Sequence, residues 1–441
     1  MAQDNITRCV GLVSQYNPLA LAPGALLQAD DAIIRRENVI ENRRGYNEYG
    51  SLSNTPTQLF VYNKKVLALN STTMSYDNGS GTFANYSGTY SPPSSAKMRA
   101  VEAVSNLYVT TSLGVKAFTD LSGTAARLSG APRSLDPSYA LNAAGAGFLA
   151  ASYQCAYRCV IQRTDANGNV LFGYPSTRLV VYNTAGTSKN VDLTLYLPAE
   201  VTTSDVIQFY RTTQVSGTAS DTSGDEMYLV YQVNPTSTDI TNKYITFTDS
   251  ITDALQGATL YTSPSQEGIA QANDRPPLSK DLGLYKSSYM FYANTSTKQR
   301  LFFTLVGTSG LNGNYITLGG LNYTFNSAAG SENAATRVVQ VGAAAGPTGV
   351  AAVDIDYTAR SLVRVINRAA SNTTIYAYYL SGSEELPGQI MIEEVGIGAS
   401  AFTILSQNTT IQPMFFPAPP VGTADAKSTS CLLYTSDAAD E

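Results

Sequence analysis

The sequence predicts a mainly β protein, organised as an incomplete β-propeller-like platform with an inserted β-sandwich and a small α+β insertion. Three observations favour this fold class. A short pattern recurs at an offset of 42 residues, strand-like segments follow one another at roughly ten-residue spacing, and one segment has helical periodicity. The abundant Tyr, Gly, Thr and Ser residues are typical of strands joined by tight turns.

Residues 1–50 are predicted to form an N-terminal arm and a hairpin. The segments DAIIRR and VIENRR flank Glu37 and Asn38 in a strand–turn–strand pattern. This region carries the densest basic cluster of the chain, and its members are Arg35, Arg36, Arg43 and Arg44. Ordinary charges at a hairpin edge are one interpretation of the cluster, and a contact with a neighbouring subunit is the other.

Residues 51–130 contain the repeat. Ser80-Gly81-Thr82 recurs as Ser122-Gly123-Thr124, and the aromatic residue Tyr76 corresponds to Phe118. A four-stranded propeller blade has a period of about 40–45 residues, so the offset favours propeller-like blades. Unrelated hairpins are the alternative, because Ser-Gly-Thr is a common phrase in a chain of this composition.

A linker is predicted over residues 130–147, and residues 150–262 are then predicted to form a β-sandwich. Short alternating strands succeed one another here, and Asn167-Gly168 supplies a strong hairpin turn. One strand places alternate apolar side chains on a single face, namely Val191, Leu193, Leu195 and Leu197. The segment resembles a fibronectin-III-like module.

Residues 263–305 return to blade-like sequence, and residues 306–405 predict an α+β insertion. The insertion begins with a hairpin that has a Gly-Gly turn, in the phrase GNYITLGGLNYTFN. It also contains the single predicted helix, which Asp354 or Asp356 can cap. One face of this helix is apolar and consists of Ile355, Ala359, Leu362 and Ile366.

The C-terminal part is predicted to be a return linker over residues 406–430, followed by a foreign tail. Residues 431–441 read CLLYTSDAADE, which matches the translation of a transposase-type sequencing adapter. We therefore expect residues 431–441 to be an artefact and the native chain to continue past Ser430. A genuine acidic tail is the alternative interpretation.

Composition predicts neither an enzyme nor a cofactor or metal site. The chain contains no histidine, so no imidazole base and no histidine metal ligand exist. Cys155 and Cys159 are expected to be core thiols, because their spacing places both on one face of a strand. The pairs Glu384-Glu385 and Glu393-Glu394 are expected at solvated strand edges. Asp165, Asn167 and Asn169 suggest the start of a calcium loop, but a plain hairpin turn is the preferred interpretation.

Three phrases precede the first repeat in a fixed order: Pro23-Gly24-Ala25, Ala29-Asp30-Asp31 and Arg43-Arg44-Gly45. With Asp31 in the place of the usual Asn, this order resembles the opening of tail nozzle (tail tubular) proteins of short-tailed bacteriophages. Residues 157–176 and 257–277 also resemble stretches of these proteins. Members of that family are longer than this chain.

The resemblance implies a virion structural protein of the phage tail, made in the host cytoplasm. It implies a propeller platform with inserted β-domains, assembled as a homo-oligomeric ring that conducts DNA without binding it specifically. A tail adaptor protein would be a partner, and a host-surface receptor could be another. The four arginines would then face a neighbouring subunit or the adaptor. The negative net charge of −6 agrees with a wall along which DNA slides.

Two other classes of protein remain open. One is a host-glycan-binding adhesin or tail-fibre protein, because tyrosine-rich β-surfaces suit carbohydrate. The other is a propeller-type glycoside hydrolase of the sialidase kind, which would need an arginine cluster, an acid pair and a tyrosine nucleophile.

Overall fold

The structure is a computed structural model, and its described residues form 31 β-strands and two α-helices, which confirms the mainly β class. It describes residues 11–13, 25–26, 28, 30, 32–36, 39–42, 45, 47–79, 81–93, 97–142, 147–218, 220–266, 275–286, 289–296, 298–382, 386–396 and 404–421. The chain divides into two compact units, Met1–Ser53 with Asn78–Phe83, and Asn54–Asp77 with Ala84–Glu441.

The first unit contains two small sheets. In one, β1 (Gly11–Leu12) pairs with β2 (Ala25–Leu26) in parallel. In the other, β3 (Ala32–Arg36) and β4 (Val39–Asn42) pair antiparallel, with an irregularity in β3. The second pair is the hairpin that the sequence predicts on either side of Glu37 and Asn38.

Two successive four-stranded sheets form what we call the paired-sheet module (residues 58–128). In each sheet the strands lie side by side in sequence order. Adding 42 to the residue numbers of the first three strands of the first sheet gives ranges that overlap the first three strands of the second sheet. The first sheet contains β5 (Gln58–Tyr62), β6 (Lys65–Asn70), β7 (Thr73–Gly79) and β8 (Thr82–Asn85). The second contains β9 (Ala100–Ala103), β10 (Asn106–Thr111), β11 (Gly114–Phe118) and β12 (Arg127–Leu128).

The two sheets share one aromatic core. Tyr76 and Phe118, which the repeat relates, both lie in this core and both contact Tyr86, with ring centroids 4.8 and 4.6 Å apart. Tyr90 stacks on Phe118 at 5.2 Å. Aromatic pairs of this kind add about 0.5–1.5 kcal/mol beyond the burial of their area. The repeat therefore supplies equivalent aromatic residues to one common core.

Residues 138–261 form what we call the two-sheet module, in which two sheets enclose one apolar cluster. The three-stranded sheet has the order β13-β17-β21. In the larger sheet β14 pairs with β15, β16, β18 and β19, and β18 pairs with β20. The strands are β13 (Ser138–Leu141), β14 (Tyr153–Thr164), β15 (Val170–Phe172), β16 (Leu179–Tyr182), β17 (Val191–Tyr196), β18 (Val206–Arg211), β19 (Val215–Ser216), β20 (Tyr228–Val233) and β21 (Tyr244–Asp249).

Alternate side chains of β14 pack into two different apolar clusters, one on each face of the larger sheet. Cys155, Tyr157, Cys159 and Ile161 are fully buried in the cluster between the sheets. The intervening residues Ala156 and Val160 belong to a second cluster on the other face of the same sheet. A strand that is apolar on both faces lies in the middle of its layer.

Two features of this module differ from the sequence prediction. The segment predicted as a linker contributes β13, which pairs with β17, so the module begins before residue 150. A short helix, α1 (Ser237–Asn242), precedes β21. The sequence predicted one helix only, in the segment 306–405, so α1 is an additional helix. Thr236 and Asp239 form a reciprocal capping box at its start.

A two-stranded ribbon follows, formed by β22 (Leu278–Tyr285) and β23 (Tyr289–Ser296), and β22 lies against the second sheet of the paired-sheet module. What we call the helix-containing module (residues 300–416) comes next. It contains β24 (Arg300–Leu305), β25 (Tyr315–Leu318), β26 (Leu321–Asn326), β27 (Val338–Gln340), α2 (Ala351–Arg368), β28 (Ile375–Tyr379), β29 (Gln389–Glu394), β30 (Ile404–Ser406) and β31 (Phe415–Phe416).

The helix-containing module has two four-stranded sheets, with the orders β28-β29-β24-β31 and β27-β26-β25-β30, around one core. The predicted Gly-Gly hairpin is confirmed: Gly319 and Gly320 both have positive φ, 57° and 79°, as a tight two-residue turn requires. The module extends beyond the predicted insertion on both sides. β24 lies in the segment predicted as blade-like, and β31 lies in the predicted return linker.

Helix α2 buries the apolar face that the sequence predicts, Ile355, Ala359, Leu362 and Ile366. Its start differs from the prediction, because the residue at the N-cap is Val350 and provides no side-chain cap. Asp354 instead lies within the first turn and accepts hydrogen bonds from the Thr348 and Gly349 backbone N–H groups, at 2.7 and 3.1 Å. Asp356 pairs with Arg360 one turn later.

We predict that Gly173→Ala destabilises the protein, because an added Cβ would lie 2.1 Å from the Pro132 carbonyl oxygen. Such overpacking costs about 1–3 kcal/mol. Gly186→Ala is the matched control, since nothing lies within 4 Å of its added Cβ. There we expect no loss, and a gain of up to about 1 kcal/mol. Urea unfolding of both variants is the measurement, and equal stabilities would contradict the close approach.

Candidate functional site

The four arginines predicted as a subunit contact lie in the first unit. Arg35 and Arg36 belong to β3. The side chains of these two residues, and the whole of Arg43 and Arg44, lie outside the described residues. The predicted contact therefore stays a prediction, and the candidate site described below is a different one.

The best organised polar site lies where the paired-sheet module meets the two-sheet module. Arg163, near the end of β14, donates from Nε to Asp205 Oδ1 at 3.0 Å. Its Nη1 also donates to the carbonyl oxygens of Leu128 and Gly130, at 3.1 and 2.9 Å. Arg127 contacts the same carboxylate from β12. One guanidinium thus holds two modules together, and Asp205 is its fully buried partner.

The charges of this junction change the acidity of Asp205. Burial alone would raise the pKa of the carboxyl group, but the hydrogen bond and charge of Arg163, together with the charge of Arg127, lower the pKa below its usual value. The backbone N–H of Thr202 adds a hydrogen bond to the carboxylate at 2.9 Å. Asp205 is therefore held in its ionised form at neutral pH.

A cavity of about 150 Å³ lies beside this junction, between the second sheet of the paired-sheet module and the β14–β15 hairpin. Its wall combines polar side chains with an aromatic ring and aliphatic groups. The lining includes Asn106, Tyr108, Ala117, Arg127, Leu128, Ser129, Arg163, Asp165 and Leu171.

Three lining residues carry a buried polar atom that has no hydrogen-bond partner among the described residues: Asn106 Oδ1, Arg127 Nε and Ser129 Oγ. Asn106 is only 2% exposed and Ser129 only 7%. The amide nitrogen of Asn106 donates to the Val104 carbonyl oxygen at 2.9 Å, so this side chain is fixed. Buried polar atoms normally have partners, which makes three such atoms around one cavity unusual.

A second, more open cavity of about 320 Å³ lies between the start of β9 and the β22–β23 ribbon. Lys97, Arg99 and Lys280 line it, and Asp281 pairs with Arg99 at 3.3 Å. This cavity is cationic, in contrast to the acidic chain as a whole.

The two cysteines are confirmed as core thiols. Cys155 and Cys159 are fully buried and unpaired. Burial raises the pKa of Cys155 to about 12 and also raises the pKa of Cys159. Neither sulfur is a thiolate near neutral pH, so neither is a nucleophile.

One buried cluster has the residue types that a sialidase-like hydrolase would need. Arg211 donates to Asp249 at 2.7 Å and to Asp253 at 2.8 Å, and the Tyr157 hydroxyl donates to Asp249 at 2.8 Å. Tyr157 and Arg211 are fully buried between the sheets, however. Burial also raises the pKa of Tyr157. The cluster acts as an internal ion pair, because a substrate has no access to the hydroxyl oxygen.

The expectation for Glu393 and Glu394 is wrong. Both are buried, 5% and 7% exposed, because β29 lies between β28 and β24 and both of its faces are covered. Glu393 accepts from Arg300 Nε at 2.7 Å and from Lys298 Nζ at 3.5 Å. Glu384 and Glu385 lie outside the described residues.

The loop at Asp165 is a plain hairpin turn, as predicted. Asp165 Oδ1 accepts from the backbone N–H groups of Asn167 and Asn169, both at 2.8 Å. Across the part of the chain that the structure describes, no three acidic or cysteine side chains are grouped as metal ligands would be.

This junction was not identified from the sequence, although Arg163 gave one signal for it. Arg163 continues the inward-facing register of Cys155, Tyr157, Cys159 and Ile161 along β14. A charged residue at an inward position requires a buried partner. Its partner Asp205 is distant in sequence, and no local pattern identifies it.

Comparisons of the chain with protein-family models, with curated proteins and with solved structures found no match. None of the helices in the described part of the chain is long and apolar enough to cross a membrane.

We predict that the junction weakens in acid. Because the folded-state pKa of Asp205 is depressed, its stabilising contribution is complete above the unfolded pKa of about 3.9 and is lost as the pH falls through the folded value. Asp205→Asn should flatten this acid dependence and lower the free energy of unfolding at neutral pH by about 3–5 kcal/mol.

The measurement is urea unfolding at a series of pH values from neutral to about 2.5. Asp225→Asn serves as the control, because the Asp225 side chain is 82% exposed and lies 3.5 Å from Arg178. An acid dependence that is the same in wild type and Asp205→Asn would contradict the assignment.

Proposed function

We propose that the chain is a structural subunit of a bacteriophage tail and forms part of a ring-shaped nozzle that conducts DNA. The observation that carries the proposal is the repeated pair of four-stranded sheets with a common aromatic core. Under this proposal the two sheets are propeller-like blades, and the two-sheet module is a fibronectin-III-like insertion. The resemblance of the N-terminal phrases to tail nozzle proteins supports the same function.

The junctions between modules suit a part that carries mechanical load. Asp136 accepts hydrogen bonds from the backbone N–H groups of Thr177 and Tyr379, at 3.0 and 2.9 Å, and so joins the two-sheet module to the helix-containing module. Beside it, the Arg133 guanidinium lies 4.0 Å from the centroid of the Tyr378 ring. Directional contacts of this kind resist rotation of one module against the next.

The charge of the chain agrees with a conduit wall. The net charge is −6, of which residues 431–441 contribute −3, so the remaining chain is still weakly acidic. A weakly acidic wall repels DNA, whereas lysine and arginine contacts with phosphate would retard moving DNA. In this proposal the subunits form a homo-oligomeric ring. The cluster Arg35, Arg36, Arg43 and Arg44 contacts a neighbouring subunit or the tail adaptor protein.

A host-glycan-binding adhesin is the second candidate, and the polar cavity beside Arg163, which Tyr108 also lines, is the observation that favours it. The neighbouring genes test the nozzle. Genes for a portal, an adaptor or a terminase next to this one would support it, and a neighbourhood without phage assembly genes would count against it.

We predict that the purified protein assembles into a closed ring. Sedimentation velocity should show one discrete oligomer, and electron microscopy should show rings. Arg43→Glu combined with Arg44→Glu should shift the protein toward monomer, because it replaces cations at the proposed contact with anions. Lys64→Glu combined with Lys243→Glu makes the same change of charge elsewhere and should leave the ring intact. A monomer at every concentration would contradict the nozzle.

We also predict no measurable binding of duplex DNA at physiological salt, since an acidic chain releases few counterions from phosphate. Fluorescence anisotropy with a labelled duplex at several salt concentrations is the measurement. Micromolar binding with a steep salt dependence, abolished by the Arg43→Glu and Arg44→Glu pair, would indicate a DNA-gripping role. Loss of such binding in Lys97→Glu with Lys280→Glu would instead assign it to the cationic cavity.

A further inference from the structure

We propose that the cationic cavity between the start of β9 and the β22–β23 ribbon binds the doubly charged phosphate group of a small phosphate monoester. Lys97 and Arg99 line it from the segment that precedes β9, and Lys280 lines it from β22. Asp281 is the single acidic residue among those that line it. The proposal goes beyond the tail-nozzle function and does not rest on it, because it follows from these side chains alone.

The charges of the wall leave two cations without a partner. Asp281 pairs with Arg99, and its Oδ1 lies 3.3 Å from Arg99 Nε. Lys97 and Lys280 form no ion pair within the described part of the chain. Like charges around one cavity repel each other, so an anion placed between them removes an unfavourable interaction. A phosphate monoester carries a charge of about −1.5 to −2 at pH 7, which matches the two unpaired ammonium groups.

The backbone that carries Lys97 and Arg99 is fixed in the absence of a ligand. Met98 lies between them in sequence, is only 2% exposed and packs in the aromatic core of the paired-sheet module. The Met98 N–H donates to Gln58 Oε1 at 2.9 Å, and the Met98 carbonyl oxygen accepts from Gln58 Nε2 at 3.1 Å. The two cations therefore flank an anchored residue, and a ligand gains affinity where less of the site has to be ordered on binding.

The ribbon fixes the opposite wall of the cavity. Ser279, the neighbour of Lys280, is fully buried and pairs with Thr295 across the ribbon. Asn294, which also lines the cavity, has a positive φ of 53°. Left-handed backbone at a residue other than glycine is unfavourable and is concentrated at ligand-binding sites. The Asn294 amide group can donate hydrogen bonds to phosphate oxygens.

A ligand has access to the charged groups. The side chains of Arg99 and Asp281 are 60% and 54% exposed, and Lys97 is exposed as well. The volume of 320 Å³ corresponds to about ten water molecules at the density of the liquid, which is more room than a phosphate group needs. The remainder of a monoester would extend from the cavity into solvent.

The site carries too little charge to hold duplex DNA. The affinity of a protein for duplex DNA grows with the number of phosphates that its lysine and arginine side chains neutralise. Three cations, of which Arg99 is already paired, neutralise too few phosphates for binding at physiological salt. A small monoester presents a single phosphate group, which one such cavity accommodates. The proposal therefore agrees with the expected absence of duplex binding.

The experiment measures binding of glycerol 3-phosphate to the full chain by calorimetry and phosphorus NMR, in a low-salt buffer that contains no phosphate. We expect saturable binding that weakens as salt is added, because salt screens exposed charges. Dimethyl phosphate, which carries one negative charge, should bind about five- to tenfold more weakly. Glycerol, which carries none, should not bind.

Charge variants make the result specific. Lys97→Gln and Lys280→Gln each remove one cation and should weaken binding about five- to tenfold. Lys64→Gln is the matched control and should bind as the wild type does, because Lys64 is exposed on the paired-sheet module and does not line the cavity. Asp281→Asn should tighten binding about fivefold, since it removes the negative charge from the wall. A variant that had lost its fold could not produce such a gain.

A pair of substitutions at Ala293, another lining residue, separates charge from size. Ala293→Glu places a carboxylate in the wall and should abolish binding. Ala293→Gln adds a side chain of the same size without the charge and should retain most of the affinity. Melting temperatures of all the variants verify that each has folded.

Vesicles distinguish two sources of the phosphate group. Phosphatidylcholine vesicles that contain phosphatidic acid present a phosphate monoester at a membrane surface. Cosedimentation with these vesicles that Lys280→Gln weakens would assign the site to a lipid headgroup. Binding of glycerol 3-phosphate without cosedimentation would assign it to a soluble ligand, and either result supports the phosphate site.

Four results would overturn the proposal. The first is no saturable binding of glycerol 3-phosphate at low salt, and the second is binding that Lys97→Gln and Lys280→Gln leave unchanged. The third is dimethyl phosphate binding as tightly as glycerol 3-phosphate. The fourth is displacement of glycerol 3-phosphate by micromolar duplex DNA at physiological salt, which would replace the small ligand with nucleic acid.

Discussion

Arg163 and Asp205 belong to the two-sheet module, and their contacts with Leu128 and Arg127 of the paired-sheet module fix the relative placement of two modules whose hydrophobic cores are separate. The paired-sheet module and the two-sheet module each enclose their own apolar cluster. Apolar packing therefore stabilises each module internally and does little to orient one against the other. The guanidinium provides that orientation, because its planar donors reach a buried carboxylate and backbone carbonyl oxygens of Leu128 and Gly130 at once.

A buried ion pair contributes specificity more than stability. Removing both charges from water is costly, and the attraction between them roughly compensates for that cost, so a well-packed apolar pair would be about as stable. Apolar side chains would not dictate one angle between the modules, however. The Asp136 carboxylate acts in the same way at the next junction, where its two partners are backbone N–H groups of different modules. Rotation at either junction would break hydrogen bonds between the modules.

The same junction also accounts for the cavity beside Arg163. Two sheets that meet through long polar side chains cannot pack as closely as two apolar faces, and a cavity with a polar wall remains beside the ion pair. Arg127 belongs to both features, since its Nη2 contacts Asp205 while its Nε has no partner among the described residues.

The sequence by itself determined the features that depend on neighbouring residues. The mainly β class, the buried face of α2, the tight turn at Gly319 and Gly320 and the core position of Cys155 and Cys159 all follow from local periodicity and turn chemistry. Only the tertiary structure decided the features that join distant segments. Part of the predicted linker forms β13 because it pairs with β17. Glu393 is buried because its strand, β29, lies between β28 and β24. The partner of Arg163 is 42 residues away, and burial depends on contacts that no local pattern encodes.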